Sequence, residues 1–155
     1  MPSFEKEKES ICNMLKSNGY SIRDGRMHGD DFRIFLTPPE FEVESEEIFK
    51  LKGNDVVHCG AVIMLGGEMR DAFFKQNKEK RDKFRKIIEN ATGVKDLDFF
   101  EIEDDGKDFK VSIRAEFPIS NLSEDTFSDA MDRLNIAGGS IEDAWNVYFD
   151  YLMDT

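Results

Sequence analysis

What this chain lacks narrows its class before anything it contains. Only two cysteines, Cys12 and Cys59, occur in 155 residues, far apart, and both are expected as reduced, buried thiols. No apolar run approaches the roughly 20 residues that a membrane helix needs. The longest, residues 61–65, is only strand-sized. The first nine residues are polar and charged with no apolar segment, so no secretory signal is expected and the cytoplasm is the expected compartment. With two histidines, His28 and His58, beside those two cysteines, no recognised zinc spacing can be assembled. Neither glycine-rich phosphate-cradling motif is present. Gly66-Gly67 does precede a helical stretch, but the Glu68 that follows would repel an anion. No serine sits in a nucleophile elbow, and no cofactor is implied.

Positive charge is also scarce. Lys and Arg number 21 against 33 Asp and Glu, a net charge of −12. Residues 70–86 run against this trend, with eight basic side chains to three acidic ones, and they leave −17 on the rest. A body this acidic repels nucleic acid and anionic membranes through the phosphate charge they carry. The basic stretch reads as a solvated helix face. What the chain does have is phenylalanine, fourteen residues of it. Each buries a large area, so a modest hydrophobic fraction of 39% still builds a dense core. At this length one α+β domain spanning residues 1–155 is expected, without staples.

Periodicity divides the chain into elements. Ser3 can cap a helix to Asn18, with Phe4, Ile11, Met14 and Leu15 on one face and Asn18-Gly19 as its stop. Phe32, Ile34 and Leu36 alternate with Arg33 and Phe35 in a strand that Pro38-Pro39 ends. Residues 47–51 and 56–65 read as further strands around a turn at residues 53–55. Asp24-Gly25 can turn a short additional hairpin. A long helix is predicted over residues 68–90, with a wholly polar middle at residues 76–83 that protrudes or lies on the surface. Phe109, Val111, Ile113, Ala115 and Phe117 alternate strictly with polar residues, and residues 97–103 pair with them through Asp104-Asp105-Gly106. After a cap at Ser123, the residues Phe127, Met131, Leu134, Ile141, Trp145, Tyr148 and Leu152 keep one helical phase across Gly138-Gly139. One long helix kinked at the glycines is expected. The order is α-β-β-β-α-β-β-α, with a mostly antiparallel sheet of about five strands packed against helices.

Three groupings could carry chemistry. His28 with Asp30 and Asp31 could bind a divalent metal or act in general-base catalysis, or form ordinary turn surface. His58-Cys59 lies on a buried strand, where neighbours point to opposite faces, so the two cannot share a ligand. The acidic turn at residues 101–105 has Ser112 where a calcium loop needs its bidentate acid. The alternation also turns some aromatics towards the less protected sheet face. Phe35, Phe49, Phe99 and Phe100, with Trp145 on the last helix, are the candidates for binding a partner; the competing reading is that all four phenylalanines are core and that the helix carrying Trp145 is structural first.

The stretch Asp105-Gly106-Lys107-Asp108-Phe109-Lys110-Val111, followed by Phe117-Pro118 and Leu122-Ser123-Glu124, resembles the secretion-chaperone-like fold. Type III secretion chaperones have this fold, as does the bacterial YbjN-type family of sensory-transduction regulators, which the stretch resembles most. The element order, the small size, the pI of about 4.6 and the amphipathic last helix agree. The resemblance implies a non-catalytic, protein-binding or chaperone-like adaptor, with a protein partner and scope for a homodimer. The alternative is a metal- or small-molecule-dependent enzyme or sensor built on His28, Asp30 and Asp31. The two differ in a simple measurement. Under the adaptor reading, zinc, calcium or EDTA should move thermal unfolding by less than about 1 °C. A metal at 100 times its dissociation constant would instead stabilise by about 2.7 kcal/mol, several degrees for such a domain.

Overall fold

The structure is a computed structural model describing residues 4–40 and 44–153, with side chains through residue 150. Helix α1 (Glu5–Ser17) buries Ile11 and Leu15. It stops where Gly19 takes φ +85° and the Tyr20 N–H donates back to the Leu15 carbonyl at 3.0 Å, a turn that glycine adopts without strain. Ser3, the expected cap, lies outside the described residues. Strands β1 (Ser21–Asp24), β2 (Asp30–Thr37), β3 (Glu46–Leu51) and β4 (Val56–Met64) follow as a meander. Helices α2 (Gly67–Phe74) and α3 (Lys78–Glu89) lead to the hairpin β5 (Phe99–Asp104) and β6 (Phe109–Pro118), and α4 (Glu124–Met153) closes the chain. The strands form one antiparallel sheet in the order β1-β2-β3-β4-β6-β5. Among the described residues no helix is long and apolar enough to cross a membrane.

The α+β class and the antiparallel sheet are as expected, but the counts differ. The described residues form six strands, because the Asp24-Gly25 hairpin does form and pairs β1 with β2 from Ser21↔Thr37 to Asp24↔Ile34. With four residues, three of them exposed, β1 is too short to show a period. The described residues form four α-helices because the predicted helix over residues 68–90 is two. Asn77 interrupts it: its side-chain oxygen accepts the Lys80 N–H at 2.9 Å and caps α3, as asparagine does at a helix start. The polar middle is therefore a break and a first turn rather than a protruding helix. The break folds Phe73 and Phe84 together, with ring centroids 5.1 Å apart.

Strand β6 keeps its strict alternation, with every second side chain from Phe109 to Phe117 buried. Against it lies α4, one unbroken helix through Gly138-Gly139, capped by Ser123, whose hydroxyl oxygen accepts the Thr126 N–H at 3.1 Å. Phe127, Met131, Leu134, Ile141, Trp145 and Tyr148 form its buried seam, and Leu152 lies beyond the described side chains. One core gathers the inward sheet residues with side chains of all four helices; Phe35, Phe49 and Phe99 are not part of it. The sheet is thus covered on one face. Because Trp145 is 7% exposed within that core, Trp145→Ala should cost about 3–5 kcal/mol in equilibrium denaturation. Asn77→Ala should cost about 1 kcal/mol through the lost cap. Wild-type tryptophan emission should be blue-shifted and poorly quenched by iodide.

Candidate functional site

The uncovered face is organised by register. One line of cross-strand partners runs Arg23, Phe35, Glu47, Gly60, Arg114, Phe99, with one residue from each strand. Beside it run Arg33, Phe49, His58 and Glu116. Directly opposed side chains are close enough to interact, and here cations and rings alternate. The Arg23 guanidinium lies 4.6 Å from the Phe35 centroid, and that of Arg33 lies 4.2 Å from Phe49. Phe49 in turn stacks on His58, with centroids 4.6 Å apart and planes within 15°. The Arg114 guanidinium covers Phe99 at 3.9 Å and reaches within 6.0 Å of Phe49. Such contacts orient a guanidinium while leaving its edge for hydrogen bonds.

Ion pairing then separates the arginines. Arg23 is held by Glu44 at 2.9 Å. Arg33 is held by Asp30 at 2.8 Å and Glu47 at 2.7 Å. Arg114 has no carboxylate partner among the described residues. Gly60 faces it across the ladder, and a Cβ there would come within 3.1 Å of the Arg114 Cγ. Glycine therefore lets Arg114 lie flat over β4 and leaves a recess of about 200 Å³ between Phe49 and Phe99. His58 Nδ1 lies 2.9 Å from a Glu116 carboxylate oxygen, while Nε2 is buried with no partner among the described residues.

Phe35, Phe49 and Phe99 thus share this face, as the alternation suggested. Phe100 does not. It pairs with Ile113 and packs against the core, because adjacent strand residues point to opposite sides. Trp145 belongs to the core seam and is not on this face. Cys59 is fully buried beneath the sheet, opposite His58, and burial pushes its thiol pKa up. Arg33, Arg114 and Gly60 were not singled out from the sequence as site residues, and His58 was weighed only with Cys59. Their polar positions in alternating strands put the arginines on the wet face, but only the register sets them on particular rings.

His28, Asp30 and Asp31 are not brought together. A bulge between Asp30 and Phe32 sends the two carboxylates to different cations. Asp30, 2% exposed, takes a bidentate bond from Arg33, which holds its carboxyl below the usual range. Asp31 pairs with Lys50 at 2.5 Å, an ammonium that also sits 4.0 Å from the Phe4 ring. His28 is exposed. Among the described residues no group of three metal-ligating side chains is assembled.

No family model and no curated protein matches the chain. Its fold is similar to that of an uncharacterized protein from Methanothermobacter thermautotrophicus known from a crystal structure. The two agree with a TM-score of 0.72 over 92% of this chain and 98% of that one, at 15% identity. At that identity the likeness concerns the fold alone.

Lys50 is 1% exposed, so Asp31→Asn would leave a buried ammonium without its counter-charge. A loss of about 3–5 kcal/mol is expected on denaturation. The joint replacement Asp31→Asn with Lys50→Met should recover most of that loss, because the buried charge is then gone as well.

Proposed function

We propose that this protein is a non-catalytic binding module whose uncovered sheet face docks a segment of a protein partner. The observation that carries the reading is Arg114, lying on Phe99 with no carboxylate partner beside the Gly60 recess. An aromatic floor with one free guanidinium suits an apolar side chain flanked by a carboxylate. The apolar group would fill the recess between Phe49 and Phe99, and the carboxylate would take the bidentate edge of Arg114. Glu47 and Glu101 also line the recess, so the carboxylate of the segment is directed to the outer edge of Arg114, which fixes its orientation. The role is of the class that the resemblance to secretion-chaperone-like proteins implies, and the cytoplasm is the compartment proposed with it. Phe35 and Arg23 extend the same surface towards β1.

A random-peptide display library tests the reading directly. Selection on the wild type should enrich acidic segments that carry an aromatic or large aliphatic residue. Phe99→Ala and Arg114→Met lie outside the core, so their melting temperatures should stay close to the wild type. Each should weaken a selected peptide by about thirtyfold, the loss expected at a hot spot. Peptides that bind both variants as tightly as the wild type would overturn the assignment of this face.

A further inference from the structure

The covered side of the sheet contains a second feature, independent of the docking face. Strand β3 pairs with β4 only as far as Glu46↔Ala61, whereas β4 continues along β6 to Met64↔Lys110. Helix α4 passes this step in the sheet at its two glycines. A cavity of about 550 Å³ results, whose walls include Tyr20, Glu46, Gly138, Gly139, Glu142 and Trp145. That volume is in the range of small-ligand sites.

Three properties set its chemistry. First, the lining contains carboxylates, with Glu40 added to Glu46 and Glu142, and no lysine or arginine among the described residues. Second, Glu46 is half-buried, but its Oε2 is shielded from solvent without a hydrogen-bond partner among those residues, and burial raises the carboxyl pKa to about 7. A buried carboxylate is costly unless it meets a cation. Its charge raises the pKa of Tyr20 and of Cys59, neither of which is cationic, and Arg133 acts on Cys59 in the opposite sense. Third, packing does not require the glycines. A Cβ on Gly139 would meet nothing within 4 Å, and one on Gly138 would make ordinary contacts at 3.7 and 3.8 Å. Glycine is a poor helix residue, and here it leaves bare helix as a cavity wall.

We propose that this cavity binds a small organic ammonium ion, whose charge pairs with Glu46 and whose alkyl groups lie against Trp145 and Tyr20. Aromatic walls and a buried carboxylate are the two features that recognise such cations. Proton and ammonium compete for the same carboxylate, so binding tightens as pH rises through about 7, and the bound cation lowers the Glu46 midpoint. By the same linkage, with no cation present, the Glu46 contribution to stability is complete below its unfolded pKa. It is lost as pH rises towards and through about 7.

The test uses n-butylammonium, with 1-butanol as the neutral isostere, at constant ionic strength. Emission of Trp145, the single tryptophan, and the Glu46 carboxyl carbon resonance are the readouts. The wild type should saturate with n-butylammonium, and the Glu46 midpoint should fall by about one unit or more. Affinity for 1-butanol, and that of Glu46→Gln for the ammonium, should each be weaker by about tenfold or more. Gly139→Leu should keep or raise the melting temperature, since it adds a helix former where space is open, and should lose binding. Glu46→Gln removes a buried charge and should fold. Equal affinity for butanol and butylammonium, unchanged affinity in Glu46→Gln, or no saturable response up to about 10 mM would each overturn the proposal.

Discussion

The rest of the molecule depends on the packing of α4 across β4 and β6. Gly138 lies over the sheet where even a Cβ would make only ordinary contacts with the Cδ1 atoms of Ile63 and Ile113, and the seam from Phe127 to Tyr148 closes the core on both sides of that point. The end of the seam also holds α3, since the Tyr148 hydroxyl donates to the Lys80 carbonyl at 2.7 Å and its ring meets Phe84 at 4.8 Å. Burying apolar area of this kind is the main favourable term in folding. Here it is concentrated on one side of the sheet.

One-sided coverage has two consequences. The far face must carry its own order without a second layer, and it does so with cation–ring contacts and ion pairs set by strand register. On the covered side, a continuous helix over a sheet whose strands end unevenly leaves a gap at the step, and that gap is the cavity beside Glu46. Both candidate sites are therefore by-products of how one helix lies on one sheet. Neither needed a separate structural element.

Electrostatics sharpen the contrast. In a chain with twelve more acidic than basic charges, the buried cations are neutralised locally, Lys50 by Asp31 and Arg33 by Asp30 and Glu47. Arg114 and Glu46 stand outside this pattern among the described residues. Arg114 is a cation lying on aromatic rings without an ion pair among the described residues, and Glu46 is a half-buried acid whose Oε2 meets no hydrogen-bond partner among them. Unpaired charges at partly desolvated positions are where binding gains most from a complementary partner.

The strict alternation of β6, the stop at Pro38-Pro39, the Asp104-Asp105-Gly106 turn and the unbroken phase of α4 were all legible in the sequence. Each is local: side-chain period, proline's missing N–H and glycine's left-handed freedom act within a few residues. The same reasoning put Phe35, Phe49 and Phe99 among the candidate binding residues, but it could not separate them from Phe100, which faces the other way. It missed the Asn77 break, because a capping asparagine and a solvated mid-helix asparagine look alike in a polar run. It also grouped His28, Asp30 and Asp31, which the bulge in β2 separates. The placement of Arg114 between Phe99 and Phe49, and of Glu46 beneath Gly138-Gly139, was decided only by tertiary structure. Register across six strands and the position of a helix over a sheet edge join residues far apart in the chain, and no local period encodes which of them will meet.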